Sequence, residues 1–281
     1  MTKKIGFMQG RLSPVIDNKI QAFPWQNWEN EFLSAYMIGL NMMEWTLDYE
    51  NLYQNPIMTS EGKIKIKNLC KAYNFSIPSL TADCFMQFPF WKTEGRLKEE
   101  LIADFKNVCR ACIDNNIKLI VLPLVDNGAI ENEKQKNSLI NFFNSNYNFF
   151  EDNNLIITFE SDFDPARLYE FLSEFNSDNF GINYDIGNSA SLGYDPQFEI
   201  SIYGNKIYNV HVKDRVLNGA TVPLGEGNAD FDKIFILLNE NNYSGNYILQ
   251  TARSNDGLHS LVLNNYKNML KNWIANSQYG S

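Results

Sequence analysis

Basic charge, paired cysteines, histidine and long apolar runs are all scarce in this chain, and each scarcity closes off a class of function. Across 281 residues, 24 Lys and Arg stand against 33 Asp and Glu, a formal net charge of -9. With a pI near 4.8, such a surface repels a phosphate backbone, so nucleic acid is not an expected partner. No uninterrupted apolar run approaches the ~20 residues that span a bilayer. The opening MTKKIGFMQG turns polar before an apolar signal core can form. A cytoplasmic protein with no membrane partner is expected. Four cysteines are present: Cys70, Cys84, Cys109 and Cys112. Cys109 and Cys112 form a CxxC, but near the C-terminal end of a strongly helical pattern, where no helix N-terminus lowers a thiol pKa. No second CxxC completes a zinc set. They read as buried core.

What is present alternates regularly. KIGFMQG is an apolar strand ending in polar Gln9 and Arg11, and residues 27–38 carry apolar positions at helical spacing. Strands are expected at 39–48, 75–85, 117–126 and 154–162, with helices at 61–73, near 95–115 and near 131–151. Asp164 and Pro165 have the chemistry of an N-cap and first helical residue. Two further strands, FGINYDIG and NKIYNVHVKDR, flank a short helical connection. A helix at 229–242, a strand at 245–253 and a last helix at about 257–275 follow, leaving a short polar tail. No GxGxxG turn follows the first strand, which argues against an open dinucleotide-binding sheet. Eight strand–helix units without a linker fit one (β/α)8 TIM barrel, a fold of roughly 250 residues. The α/β barrel is expected to be a single domain over residues 1–281.

In such a barrel, chemistry collects at the carboxyl ends of the strands. Glu160, Asp185, His211 and Gln250 end the last four strands, one oxygen or imidazole donor each. Carboxylates, one imidazole and a side-chain carbonyl suit a single divalent ion (Mn, Mg, Co, Fe or Zn). His211 is one of only two histidines; the other, His259, falls near the start of the last helix. Earlier strands contribute Glu44, Trp45 and Asp83.

The motifs IGFMQGRLSP, ESDF, NYDIGNSASLGYDP, NVHVKDR, VPLGEGNADF and YILQTAR, taken in order, resemble the xylose-isomerase-like TIM barrels. They are most similar to the sugar phosphate isomerase/epimerase-like group. The resemblance implies one divalent metal on Glu160, Asp185 and His211, and a sugar or sugar phosphate as partner. It departs at Gln250, where ketose 3-epimerases have a glutamate: a glutamine coordinates through its carbonyl oxygen but cannot take a proton. It departs again at Asn188, where those epimerases often carry a substrate-contacting histidine. The implied reaction is isomerisation or epimerisation through an enediolate, with Glu160 as base, Lys213 stabilising negative charge, and Glu44 among the candidates for a second base. The other candidates are Asp83, Lys213, Asp214 and Glu226. Arg11, Asn188, Arg215, Arg253, Asp83 and Trp45 are expected to bind substrate. The missing glutamate leaves two alternatives, a keto-sugar or inosose dehydratase and a non-catalytic sugar-binding protein. An apurinic endonuclease on the same barrel would need several histidines for its zinc site, more than the two here. Apolar helices on the barrel exterior would permit a homo-oligomer.

Overall fold

The strand LIVLPL is buried at every position, as a parallel strand covered on both faces must be. In the computed structural model, which describes residues 4–17, 19–254 and 257–278, it is one stave of a closed eight-stranded barrel. The strands run β1 (Lys4–Met8), β2 (Met42–Thr46), β3 (Ser76–Thr81), β4 (Leu119–Leu124), β5 (Ile156–Ser161), β6 (Phe180–Asp185) and β7 (Ile207–Val212). A two-stranded antiparallel ribbon follows, β8 (Asp214–Arg215) with β9 (Thr221–Val222), and then β10 (Asn246–Leu249). Each barrel strand pairs in parallel with its sequence neighbour, and β10 closes the ring by pairing with both β7 and β1. The fold is the expected (β/α)8 barrel. The ribbon was not anticipated, and the ends of the expected tail beyond residue 278 lie outside the described residues.

Helices such as Ser60–Tyr73, Gly95–Asp114, Pro165–Ser173 and His259–Asn276 pack around the strands. Asp164 caps its helix by accepting from the Arg167 N–H at 3.1 Å, with Pro165 at the first helical position. The pattern near 131–151 forms two helices, Glu133–Ser145 and Tyr147–Asp152. The break falls at Asn146, whose side-chain amide donates to the Phe142 carbonyl at 2.7 Å, local competition of the kind asparagine offers a helix. Between strands and helices lies a phenyl-rich core: Phe143 meets Phe105, Phe150, Phe159 and Phe180 at ring-centroid separations of 5.4–5.7 Å. Cys109 and Cys112 are buried in that layer. Among the described residues, no helix is long and apolar enough to cross a membrane.

The lumen is different in kind. A small apolar plug, Met8, Met42 and Ile248, sits apart from buried Glu44, Ser79, Thr158, Asn183, Asn209 and His211. Side chains two apart on a strand share a face, so Asn183 and Asp185 project together, as do Asn209 and His211.

Candidate metal centre and active site

Glu160, Asp185 and His211 end three adjacent strands, and register places Asp185 directly beside His211. One donor atom from each lies within 4.8 Å of the other two, and all three residues are buried. Asn183 Nδ2 donates to Glu160 Oε2 at 2.8 Å, and Asn188 Nδ2 to Oε1 at 2.8 Å. The Asn188 backbone N–H caps Asp185 Oδ1 at 2.9 Å. His211 bridges two carboxylates: Nε2 lies 2.7 Å from Glu44 Oε1, and Nδ1 3.1 Å from Glu160 Oε2. Glu44 is also held by Asn209 Nδ2 at 2.9 Å, and Asn209 Nδ2 reaches Asn183 Oδ1 at 2.8 Å.

The electrostatics follow from this packing. Burial alone would lower the His211 pKa, but Glu44 and Glu160 outweigh it and raise it to about 10. Burial alone would raise Glu160, yet the His211 hydrogen bond and charge, with Lys213, hold it below the usual carboxylate range. Asp185 goes the other way: burial pushes it up, against the pull of Lys213. Lys213 Nζ stands 2.5 Å from Asp185 Oδ2 as an ion pair. Two buried carboxylates and an imidazole with donor atoms this close to one another are a donor set that fits a divalent cation. Glu44 then stands behind His211 as a carboxylate orienting a ligating imidazole.

Glu160 also lines a cavity of about 500 Å³. Its lining includes Arg11, Asp83, Glu160, Asn188, Lys213, Arg215 and Gln250. Arg11 is buried and anchored by donation from Nε to the Thr251 carbonyl at 2.8 Å. Arg215 Nη1 donates to Asn188 Oδ1 at 2.8 Å. Lys213 pairs with Asp185, not with Asp214, and its Nζ also reaches Gln250 Oε1 at 3.3 Å. Asp214 is turned away, accepting from the backbone N–H groups of Gly225, Gly227 and Ala229.

Several expectations need correction. Trp45 is fully buried, donating to Asn55 and packing on Phe23 and Trp28 among the helices; strand alternation turns it outward, so it does not line the cavity. Arg253 is spent on the carbonyls of Gly10, Ser13 and Pro14, which fixes the loop after β1 instead of facing the cavity. Glu44 lies at the barrel axis with no solvent access, and its oxygens are taken by His211 and Asn209. Glu226 is exposed and outside the cavity. Three side chains complete the site without having stood out in the sequence. Asn183 and Asn209 were visible as polar residues two before Asp185 and His211. Gln21 comes from an irregular loop and carries no sequence signal.

Residues 33–272 match the family model described as Xylose isomerase-like TIM barrel. The chain belongs to that family. It is 22% identical over 240 residues to the putative L-ribulose-5-phosphate 3-epimerase SgbU of Haemophilus influenzae, covering 79% of this chain and 83% of that one. Among solved structures it resembles the IolI protein with a binding zinc atom, at a TM-score of 0.73 and 17% identity over 97% and 98% of the two chains. It also resembles D-allulose 3-epimerase from Methylomonas sp. in complex with D-allulose, at a TM-score of 0.73 and 13% identity over 96% of each chain. These two likenesses are of fold.

Proposed function

We propose that this family member is a divalent-metal-dependent isomerase or epimerase of a sugar or sugar phosphate. The observation that carries the reading is the buried Glu160–Asp185–His211 group, whose Glu160 lines a cavity that also presents Arg11, Lys213 and Arg215. Distant relatives described as sugar 3-epimerases point the same way.

Glu160, Asp185 and His211 would hold the ion, with Gln250 Oε1 as the fourth donor. When bound, the ion supplies Lewis acidity at the substrate carbonyl as negative charge develops there. Glu160 Oε1 takes the proton next to the carbonyl, its carboxylate being ionised beside His211 and Lys213. Asn183 and Asn188 keep its carboxylate oriented toward the cavity. The Lys213 ammonium, beside both Asp185 and Gln250, stabilises the enediolate oxygen. Arg11 and Arg215 offer planar donor forks to a phosphate or to sugar hydroxyls. Gln250 carries no exchangeable acid proton, which favours a dehydratase as the second reading; that reaction would release water and give an unsaturated product.

The test is deuterium exchange from D2O into L-ribulose 5-phosphate and D-allulose by the Mn²⁺-loaded chain, followed by NMR. Exchange at the carbon beside the carbonyl is expected, with Glu160→Gln slower by about 100-fold or more. Exchange that is unaffected by Glu160→Gln, or absent from a panel of ketoses and ketose phosphates, would contradict the proposal.

A further inference from the structure

Asp83 projects from the start of a short helix just after β3 and lines the same cavity as Glu160. It is 8% exposed. Thr81 Oγ1 donates to its Oδ1 at 3.1 Å, and Gln21 Nε2 to its Oδ2 at 2.6 Å. Gln21 Oε1 in turn accepts from Gln250 Nε2 at 3.0 Å. A continuous belt therefore runs round the cavity from Asp185 through Lys213, Gln250 and Gln21 to Asp83. The belt uses Gln250 as an amide: a carboxylate at that position could not donate to Gln21 Oε1, and Gln21 would be drawn round to offer it the N–H that now serves Asp83.

We infer that Asp83 is the second proton-transfer group of the site, the acid that faces the base Glu160 across the bound substrate and stands in for the carboxylate that Gln250 lacks. The inference rests on the enediolate reading above. The groups around Asp83 are Arg11 from the β1 loop, Asp48 from the β2 loop, Glu160 from β5 and Lys213 from β7, with Asp126 and Asp162 at the rim. Burial, Asp48 and Glu160 together push Asp83 up to about 7 despite its two donors, so that its carboxyl can hold the proton an acid gives up. In the forward step the substrate C–H bond breaks, its proton passes to Glu160, and its electron pair enters the enediolate. The Asp83 O–H bond then breaks, and its proton adds to the same carbon from the other side, inverting it. Glu160 is left protonated and Asp83 ionised; proton exchange with water resets both.

The test is calorimetric titration of the Mn²⁺-loaded full chain with acetohydroxamate, an anionic enediolate mimic, at about pH 5.5 and pH 8.5. Ionised Asp83 opposes the anion only in the wild type. The ratio of wild-type to Asp83→Asn affinity is therefore expected to fall about fivefold or more between the two pH values. Parallel profiles for the two proteins would overturn the role of Asp83. A metal-loaded wild type that binds no hydroxamate at either pH would overturn the enediolate reading, and Asp83's role with it. Should Asp83→Asn fail to fold, Gln21→Leu serves instead. Losing a donor to the carboxylate should move the break in the affinity profile to higher pH, and an unmoved break would overturn the inference.

Discussion

His211 holds its proton between two carboxylates, and that fixes how the site responds to pH. Its folded-state value of about 10 lies above the ordinary ~6.5 of histidine. The stabilisation from the charged ring is thus complete below about pH 6.5 and disappears as pH rises through about 10. The melting temperature of the metal-free chain should fall across that window, and Glu44→Gln should flatten the fall. A profile identical in the two proteins would show that Glu44 does not hold the ring charged. Metal ligation through Nδ1 must displace a proton, so metal affinity should climb with pH, by about tenfold per unit for each proton released. The members of the buried group were legible in the sequence as a set, because neighbouring strand ends present a carboxylate or imidazole each. Their partners were not: nothing local shows that Lys213 turns to Asp185 while Asp214 turns to the loop at 225–229.

At the scale of elements, strand ends were readable and loops were not. Strand positions follow from alternation and a fixed topology, which brings Glu160, Asp185 and His211 together without further information. Loop positions depend on contacts distant in sequence. Buried Glu31, in the first helix, accepts from the Gly10 and Leu12 backbone N–H groups and from Ser13 Oγ. With Arg253 on the neighbouring carbonyls, it fixes the loop that delivers Arg11. The helix Ile186–Leu192 packs so closely on the end of β7 that a Cβ at Gly187 would lie 2.8 Å from Lys213 Cγ. Gly187→Ala should therefore displace Lys213 from Asp185. Ketose deuterium exchange is expected to slow by about tenfold or more, while the divalent-ion content stays near the wild-type level. Unchanged exchange would remove Lys213 from the mechanism.

For the molecule as a whole, a net charge of -9 repels anions, yet Arg11, Lys213 and Arg215 gather at one cavity. Asp83, Asp126, Glu160 and Asp162 line the same cavity, so the three cations stand among carboxylates and not in a uniformly basic pocket. The barrel itself was legible from eight alternating units at this length, with no GxGxxG turn after the first strand to favour an open sheet. The ribbon β8–β9, the loop carrying Gln21 and the outward turn of Trp45 were not, since each is set by tertiary packing. Metal-free protein should be titrated with Mn²⁺ by calorimetry, beside His211→Ala, with folding of both checked by circular dichroism. Binding of one ion per chain, weakened about tenfold or more in the folded variant, is the predicted result. Equal affinity in both proteins, or no binding by the wild type to Mn²⁺, Co²⁺, Mg²⁺, Fe²⁺ or Zn²⁺, would contradict it.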